Sequence, residues 1–388
     1  MKYLILIFFS INGFTQVLFE GVVKSANTKE SLAGAAIYIP NSTYGTYSDE
    51  NGKFSIQLPL STKEIVISFI GYHPINAQLN ISDGKNINKT IYLRENNSQL
   101  NEVVVIKQKQ DKEWYKKYEI FKSHFIGDSE IAKNAEILNP EDLILIEEKD
   151  SIRYKLTANA YKPLLIKNKT TGYIITYELI QFNYINYGHR QLYTFYLGYA
   201  FFKDITSEEK LNSEKKKKKR LEAYSGSSMH FIRALYQNKL FDEGFSVREL
   251  TRMKNPEFPD EKTIKNIYRL AKETNDYSEV RKIPKHETIK LSETIIPSSK
   301  FMINESNKKI LKFENYLNVT YTKSKPDKKY LLNGNNTESE FQISQLKIEN
   351  EPVEIFADGN YYSPNNLFIY GYMGWKKVGD MLPFDYQP

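Results

Sequence analysis

The stretch from Gly45 to Ile56, GTYSDENGKFSI, constrains the fold more than any other part of the chain. It gathers turn-forming residues (SDENG) whose short Asp and Asn side chains hydrogen-bond their own backbone. From Lys53 onward polar and apolar residues alternate, with Phe54 and Ile56 on one face, which is typical of a half-buried strand. The pattern predicts a turn followed by a strand, and we interpret the stretch as a β-hairpin.

Short strand patterns with turns between them continue over residues 18–94. Besides the Gly45 stretch they comprise Leu18 to Val23, Gly34 to Ile39, Ile65 to Ile70, Gln78 to Ile81 and Lys89 to Leu93. About seven short strands with regular turn signals predict a small Greek-key β-sandwich.

These residues carry a resemblance to a known family. The segments FEGVV, SLAGAAIYI, GTYSDENGKFSI, IVISFIGYHP and TIYL resemble the carboxypeptidase regulatory-like domain, a prealbumin-like β-sandwich. Domains of this type stand at the N-terminus of many exported proteins of the Bacteroidota envelope. The resemblance covers about residues 17–94. It implies a folding or interaction module and does not imply peptidase activity.

The N-terminal residues 1–16 have the pattern of a signal peptide. Lys2 precedes a short apolar run, YLILIFF, which is too short to span a bilayer. We therefore expect an exported protein whose mature chain starts near Val17; the alternative is a first buried strand. No later segment is apolar enough to be a transmembrane helix. The absence of Cys excludes disulfides, thiolate zinc sites, thiol nucleophiles and N-terminal lipidation.

A polar linker over residues 95–112 separates this module from a second domain, residues 113–388. Within the linker, LNEVVVI is similar to the run that leads into the plug of TonB-dependent receptors. A receptor barrel needs many alternating strands of about ten residues, and the remaining chain has long polar runs instead.

The second domain reads as α+β, with antiparallel strands and a few helices. The clearest patterns are a helix over Glu208 to Leu240 that Gly226 bends or divides, a helix over Asp260 to Glu273, and strands over Tyr173 to Phe182, Gln191 to Phe202 and Ile310 to Thr322. We therefore predict a mainly β chain whose second domain combines an antiparallel sheet with a few helices.

A search for chemistry along the chain finds no catalytic motif and predicts no cofactor and no metal. None of the five His residues has the spacing of a zinc peptidase site. The net charge of +7 depends largely on one run, Lys215 to Arg220, which we interpret as the solvated start of a helix; contact with anionic lipid is the alternative. Interleaved aromatic residues are missing there, so we predict no nucleic-acid partner.

The phrase AYSGSSMHFIRAL, Ala223 to Leu235, provides the candidate polar site. It resembles a recurrent phrase in exported proteins that join the regulatory-like module to an uncharacterised domain, as do GFSV and the closing LPFDY. Its candidate residues are Tyr224, His230 and Arg233. Two interpretations stay open: a polar site that binds an anion or a peptide carboxylate, and a buried structural network.

The sequence as a whole favours an exported, non-enzymatic protein of the periplasm or outer membrane. It would bind or assemble with envelope protein partners through its N-terminal module. The alternative is a hydrolase with a dispersed site around His230 and Arg233. A third hypothesis is surface glycan binding, suggested by the many Tyr residues and Trp375.

Overall fold

The chain divides into two compact units, Met1–Val105 and Ile106–Pro388. The structure is a computed structural model, and it describes residues 16–60, 62–81, 84–96, 108–150, 153–187, 192–306, 308–332 and 339–388. The predicted signal peptide, apart from its last residue, and most of the predicted linker lie outside these residues. None of the helices within the described ranges combines the length and the apolar character needed to cross a membrane.

The first unit is a β-sandwich, as predicted. Its described strands are β1 (Gln16–Ser25), β2 (Ala36–Tyr38), β3 (Gly45–Tyr47), β4 (Lys53–Pro59), β5 (Glu64–Ser68), β6 (Ile75–Gln78) and β7 (Ile87–Leu93). One sheet has the order β4-β1-β7 and the other β3-β2-β5-β6. The alternating side chains of both sheets, among them Phe19, Ile37 and Phe54, form one hydrophobic core.

The predicted hairpin over Gly45 to Ile56 is wrong, because its two strands belong to different sheets. Gly45 on β3 pairs with Tyr38, whereas Phe54 on β4 pairs with Gly21. The stretch is a crossover between the sheets. Its turn is closed by the side chain of Asp49. The Asp49 Oδ1 accepts hydrogen bonds from the Asn51 N–H at 2.9 Å and from the Lys53 N–H at 2.8 Å.

Local sequence signals determine the helices of the second unit. They are α1 (Lys112–Phe125), α2 (Ser213–Tyr224), α3 (Ser228–Tyr236), α4 (Glu261–Thr274), α5 (Ser278–Lys282), α6 (Lys328–Leu332) and α7 (Gly371–Trp375). The side chain of Asp260 caps α4 by accepting from the Thr263 N–H, 2.7 Å away. Gly226, at φ +72°, divides the predicted 208–240 helix into α2 and α3.

The first layer of the second unit is a six-stranded antiparallel sheet. Its strands are β8 (Ala135–Ile137), β9 (Leu143–Lys149), β10 (Tyr154–Ala160), β11 (Leu164–Asn168), β12 (Tyr173–Asn186) and β13 (Leu192–Asp204). The buried face of α1, with Trp114, Phe121 and Phe125, shares a core with this sheet. These three residues recur at the helical period, which is why the aromatic pattern predicted the helix.

Two further sheets share a second core with α3. The five-stranded sheet contains β14 (Phe245–Lys254), β15 (Glu287–Ile295), β18 (Tyr316–Tyr321), β19 (Gln342–Ile348) and β22 (Leu367–Tyr370); the four-stranded sheet contains β16 (Met302–Glu305), β17 (Lys308–Leu311), β20 (Val353–Ile355) and β21 (Tyr361–Tyr362). The predicted single strand over Ile310 to Thr322 is wrong. It is divided between β17 and β18, and the chain crosses from one sheet to the other at residues 312–315.

Candidate functional site

The candidate residues Tyr224, His230 and Arg233 come together at the start and along one side of α3. Gly226 turns the chain, and the side chain of Ser227 caps the helix by accepting from the His230 N–H at 3.1 Å. The three candidate side chains are all buried, with exposed fractions between 5 and 8%. We call them, together with Glu243, the α3 network.

His230 uses both ring nitrogens within the protein. The Gly226 N–H donates to Nδ1 at 3.1 Å, and Nε2 lies 3.1 Å from a carboxylate oxygen of Glu243. This pattern assigns the proton of the neutral ring to Nε2, which donates to Glu243. Burial lowers the pKa of His230, and the hydrogen bond to Glu243 opposes that shift. The ring is therefore a fixed neutral donor.

Arg233 donates hydrogen bonds to two backbone carbonyl groups from distant parts of the chain. Its Nε donates to the Asp358 carbonyl oxygen at 2.8 Å, and its Nη2 donates to the Phe384 carbonyl oxygen at 3.0 Å. Its guanidinium carbon lies 5.4 Å from the ring centroid of Tyr224, whose ring is in turn 5.9 Å from that of Tyr386. The guanidinium thus holds two chain segments against α3.

The three sequence phrases AYSGSSMHFIRAL, GFSV and LPFDY meet at the α3 network. AYSGSSMHFIRAL supplies Tyr224, His230 and Arg233. GFSV contributes Phe245, whose ring lies 4.9 Å from that of His230, and LPFDY contributes the carbonyl group of Phe384. Chemically this arrangement can fix the C-terminal segment in place, because both ring nitrogens of His230 and two donors of Arg233 have partners within the protein.

A second buried polar cluster joins the C-terminal segment to the end of α1. The Ser129 hydroxyl donates to Asp380 at 2.6 Å, and burial raises the pKa of Asp380. The Lys377 ammonium donates to the Gly374 carbonyl oxygen at 2.6 Å, and burial lowers its pKa to about 8. Perturbed pKa values often accompany function, but here each group has a backbone or side-chain partner that explains its position.

A cleft of about 840 Å³ lies at one end of the five- and four-stranded sheets, and no sequence motif predicted it. Its walls come from three crossovers between these sheets, residues 296–301, 312–315 and 349–352. We call it the end cleft. The only available signal was a set of turn-forming residues, Asn315, Asn350 and Pro352, beside predicted strands.

Trp375, which suggested glycan binding, is not among the residues that line the end cleft. Its ring packs at 5.4 Å from that of Tyr330 and at 5.7 Å from that of Tyr372. Within the described part of the chain, no group of three or more His, Asp or Glu side chains is placed to hold a metal ion.

Comparison with known proteins identifies the N-terminal module. The family model of the CarboxypepD_reg-like domain matches residues 19–105, which confirms the resemblance noted from the sequence. The TonB-dependent receptor SusC of Bacteroides thetaiotaomicron is 37% identical over 108 residues, 26% of this chain and 9% of the receptor. The chain therefore spans less than a tenth of the length of this curated relative.

Two solved structures align with the chain at low similarity. A DUF3823 family protein from Parabacteroides merdae covers 50% of this chain and 83% of its own, with 9% identity and a TM-score of 0.16. A 9R-lipoxygenase from Cyanothece covers 59% of this chain and 48% of its own, with 10% identity and a TM-score of 0.17. Scores this low carry no argument about fold or function.

Proposed function

Because residues 19–105 form a carboxypeptidase regulatory-like domain, we propose that this chain is a non-catalytic binding or assembly component of a bacterial cell envelope. The observation that carries the proposal is the domain itself, which has a similar counterpart in a TonB-dependent receptor. In this proposal the chain is exported, acts in the periplasm or at the outer membrane, and recognises another envelope protein.

The edge strand β4 is the proposed contact. Gly52 and Val23 form a hydrogen-bonded pair, since the Val23 N–H donates to the Gly52 carbonyl oxygen at 2.8 Å. Because such pairs alternate along an antiparallel ladder, the backbone groups of Ser55 and Gln57 point away from β1. Both side chains are exposed. An extended partner segment can add to this edge by main-chain hydrogen bonding.

The experiment compares full-length Ser55→Pro with full-length Ser55→Ala in the native host. Proline removes the outward N–H and is tolerated on an edge strand, whereas alanine keeps the N–H. A photo-crosslinking residue at position 57, read by mass spectrometry, should capture a defined envelope protein with Ser55→Ala and roughly tenfold less of it with Ser55→Pro. Equal capture by the two variants, or no specific capture by either, would contradict the proposed edge contact.

The non-catalytic part of the proposal is supported by the α3 network. Both ring nitrogens of His230 and two donors of Arg233 are engaged within the protein, so no substrate needs to be invoked for them. The alternative, a hydrolase, predicts a measurable activity that depends on His230. If purified full-length chain hydrolyses peptide or ester substrates, and His230→Gln abolishes that activity while the thermal unfolding midpoint is kept, the non-catalytic proposal is wrong.

A further inference from the structure

The end cleft has an apolar floor that is only partly covered. Phe301 and Leu317 are 1% and 2% exposed and form its base. Ile296, Phe313 and Ile348 are half-buried and pack against the same core. No aromatic ring packs against Phe313 among the residues that the structure describes. A ligand in the cleft would therefore cover apolar surface, including the exposed part of Phe313.

The rim of the end cleft carries charged groups of both signs. Lys300 and Lys312 are exposed, and neither ammonium has an ion-pair partner within the described ranges. Glu314 and Glu351 are exposed carboxylates on the same rim. A third carboxylate, that of Glu249, accepts a hydrogen bond from the Asn315 side chain at 2.6 Å. With two ammonium groups and three carboxylates, the rim has a formal charge of −1.

This combination selects against strongly charged ligands and favours hydroxyl groups. An ammonium only donates hydrogen bonds and a carboxylate only accepts them, whereas a hydroxyl group does both. A ligand rich in hydroxyl groups can thus satisfy neighbouring rim groups of either sign. If it also has a flat C–H surface, it can cover Phe313 and the apolar floor. Sugar rings combine these two properties.

The walls of the end cleft argue against an extended peptide as the ligand. Peptides commonly bind by adding to a free strand edge, which supplies a row of main-chain donors and acceptors. Here the walls are crossovers between two sheets. Two of the three crossovers are flanked by inner strands that are paired on both sides, β17 and β18 for one and β19 and β20 for the other, and the third joins the edge strands β15 and β16. The cleft volume lies within the range of about 300–1,000 Å³ that is common for small-ligand sites.

We propose that the end cleft binds a short neutral oligosaccharide, with Phe313 against a sugar ring and with Lys312 and Glu314 bonding its hydroxyl groups. The proposal concerns the second unit. It does not depend on the protein contact proposed for β4, and the two can fail separately.

Calorimetric titration of the purified full-length chain tests the proposal. The probes are hexasaccharides of glucose, mannose, xylose and galactose units, with a galacturonate hexamer and a neutral hexapeptide mixture as alternatives. At least one neutral hexasaccharide should bind. Raising NaCl from about 50 to 500 mM should change its Kd less than twofold, because a neutral ligand offers no charge to screen.

Substitutions locate the binding site. Phe313→Ala should weaken the Kd of the neutral hexasaccharide at least roughly tenfold, the equivalent of about 1.4 kcal/mol. The matched control is Phe241→Ala, since Phe241 is 88% exposed and does not line the end cleft. Lys312→Ala, at an exposed position, should weaken binding several-fold without affecting folding.

Three results would overturn the proposal. The first is that no neutral hexasaccharide binds at concentrations up to about 10 mM. The second is binding that Phe313→Ala and Lys312→Ala leave unchanged while both variants keep the wild-type thermal midpoint. The third is binding confined to the galacturonate or the peptide probes, which would assign the end cleft to a different ligand class.

Discussion

Arg233 donates a hydrogen bond from Nη2 to the carbonyl oxygen of Phe384, 3.0 Å away in space and 151 positions away in sequence. The same guanidinium donates to the carbonyl oxygen of Asp358 from Nε at 2.8 Å. A single buried cation therefore joins helix α3 to two distant segments. Its loss would leave two carbonyl groups without their charged donor.

Arg233→Met should destabilise the second unit by about 2–4 kcal/mol, because methionine keeps the apolar stem but removes the donors. Urea unfolding followed by tryptophan fluorescence measures this, since Trp114 and Trp375 both lie in the second unit. Amide hydrogen exchange should also accelerate at residues 356–360 and 382–386. Arg269→Met is the control: its partner Glu273 is an exposed neighbour on α4, so less than about 0.5 kcal/mol should be lost. Equal losses would contradict the anchoring role.

Gly226→Ala should be among the most damaging small substitutions in the chain. A Cβ at this position would lie 2.1 Å from Oε1 of Gln342 and 2.8 Å from Cδ1 of Tyr321, and φ is +72°. We expect a loss of about 3 kcal/mol or more from overlap and backbone strain together.

Gly34→Ala separates these two causes. Gly34 has φ +82°, but an added Cβ would meet nothing within 4 Å. Only the strain of about 1–2 kcal/mol should appear, in the unfolding of the first unit followed by circular dichroism. If the two alanine variants lose the same free energy, steric overlap at Gly226 is not the reason for its glycine.

Ser48→Ala should destabilise the sandwich of the first unit by about 1–3 kcal/mol. The buried Ser48 hydroxyl donates to the Leu32 carbonyl oxygen at 2.6 Å and accepts from the Ala35 N–H at 2.9 Å. Alanine would leave both backbone groups unpaired at the crossover between the sheets. The exposed Ser55→Ala should change the unfolding free energy by less than about 0.5 kcal/mol. A Ser48→Ala midpoint equal to that of Ser55→Ala would contradict this role.

His124 should make the second unit less stable in mild acid. Burial, followed by the nearby Lys377 charge, lowers its pKa to about 4, below the ordinary value of 6.5. The unfolded chain therefore binds a proton at His124 in a pH range where the folded chain does not. The folded state loses stability as the pH falls from 6.5 towards 4. Between pH 7 and pH 5 this amounts to about 2 kcal/mol.

His124→Gln should remove that part of the pH dependence, measured as the difference in unfolding free energy between pH 7 and pH 5. His230 contributes in the same direction, so some slope remains. A His124→Gln variant that keeps the full wild-type difference would show that the ring is not responsible.

The parts of the fold that the sequence predicts are those governed by local periodicity. Helix α4 begins one residue after Asp260, where the apolar spacing predicted the helix to start. The division of the 208–240 helix follows from a single glycine. The first sandwich also follows from its short alternating strands.

Strand pairing could not be predicted in the same way, because it depends on contacts between residues far apart. The SDENG turn has the same local chemistry whether the next strand returns to its neighbour or crosses to the other sheet. Likewise Ile310 to Thr322 alternates through residues 312–315, where the chain in fact changes sheets.

The candidate site was predictable in its residues but not in its partners. The recurrent phrase AYSGSSMHFIRAL indicated His230 and Arg233 as candidates. The carbonyl groups of Asp358 and Phe384 and the carboxylate of Glu243 carry no sequence signal of their own. The end cleft was missed for the same reason: three separate crossovers build it, and none of them has a motif.

The anchoring of Phe384 has a consequence for the order in which the chain folds during synthesis. The sandwich of residues 16–96 contains all its strands early in the chain and can form while later residues are still being made. The second unit cannot complete its packing until the segment around residue 384 has left the ribosome, because Arg233 bonds the carbonyl group of Phe384. Until then Arg233 lacks one of its two carbonyl partners, and the contact between α3 and the C-terminal segment cannot form.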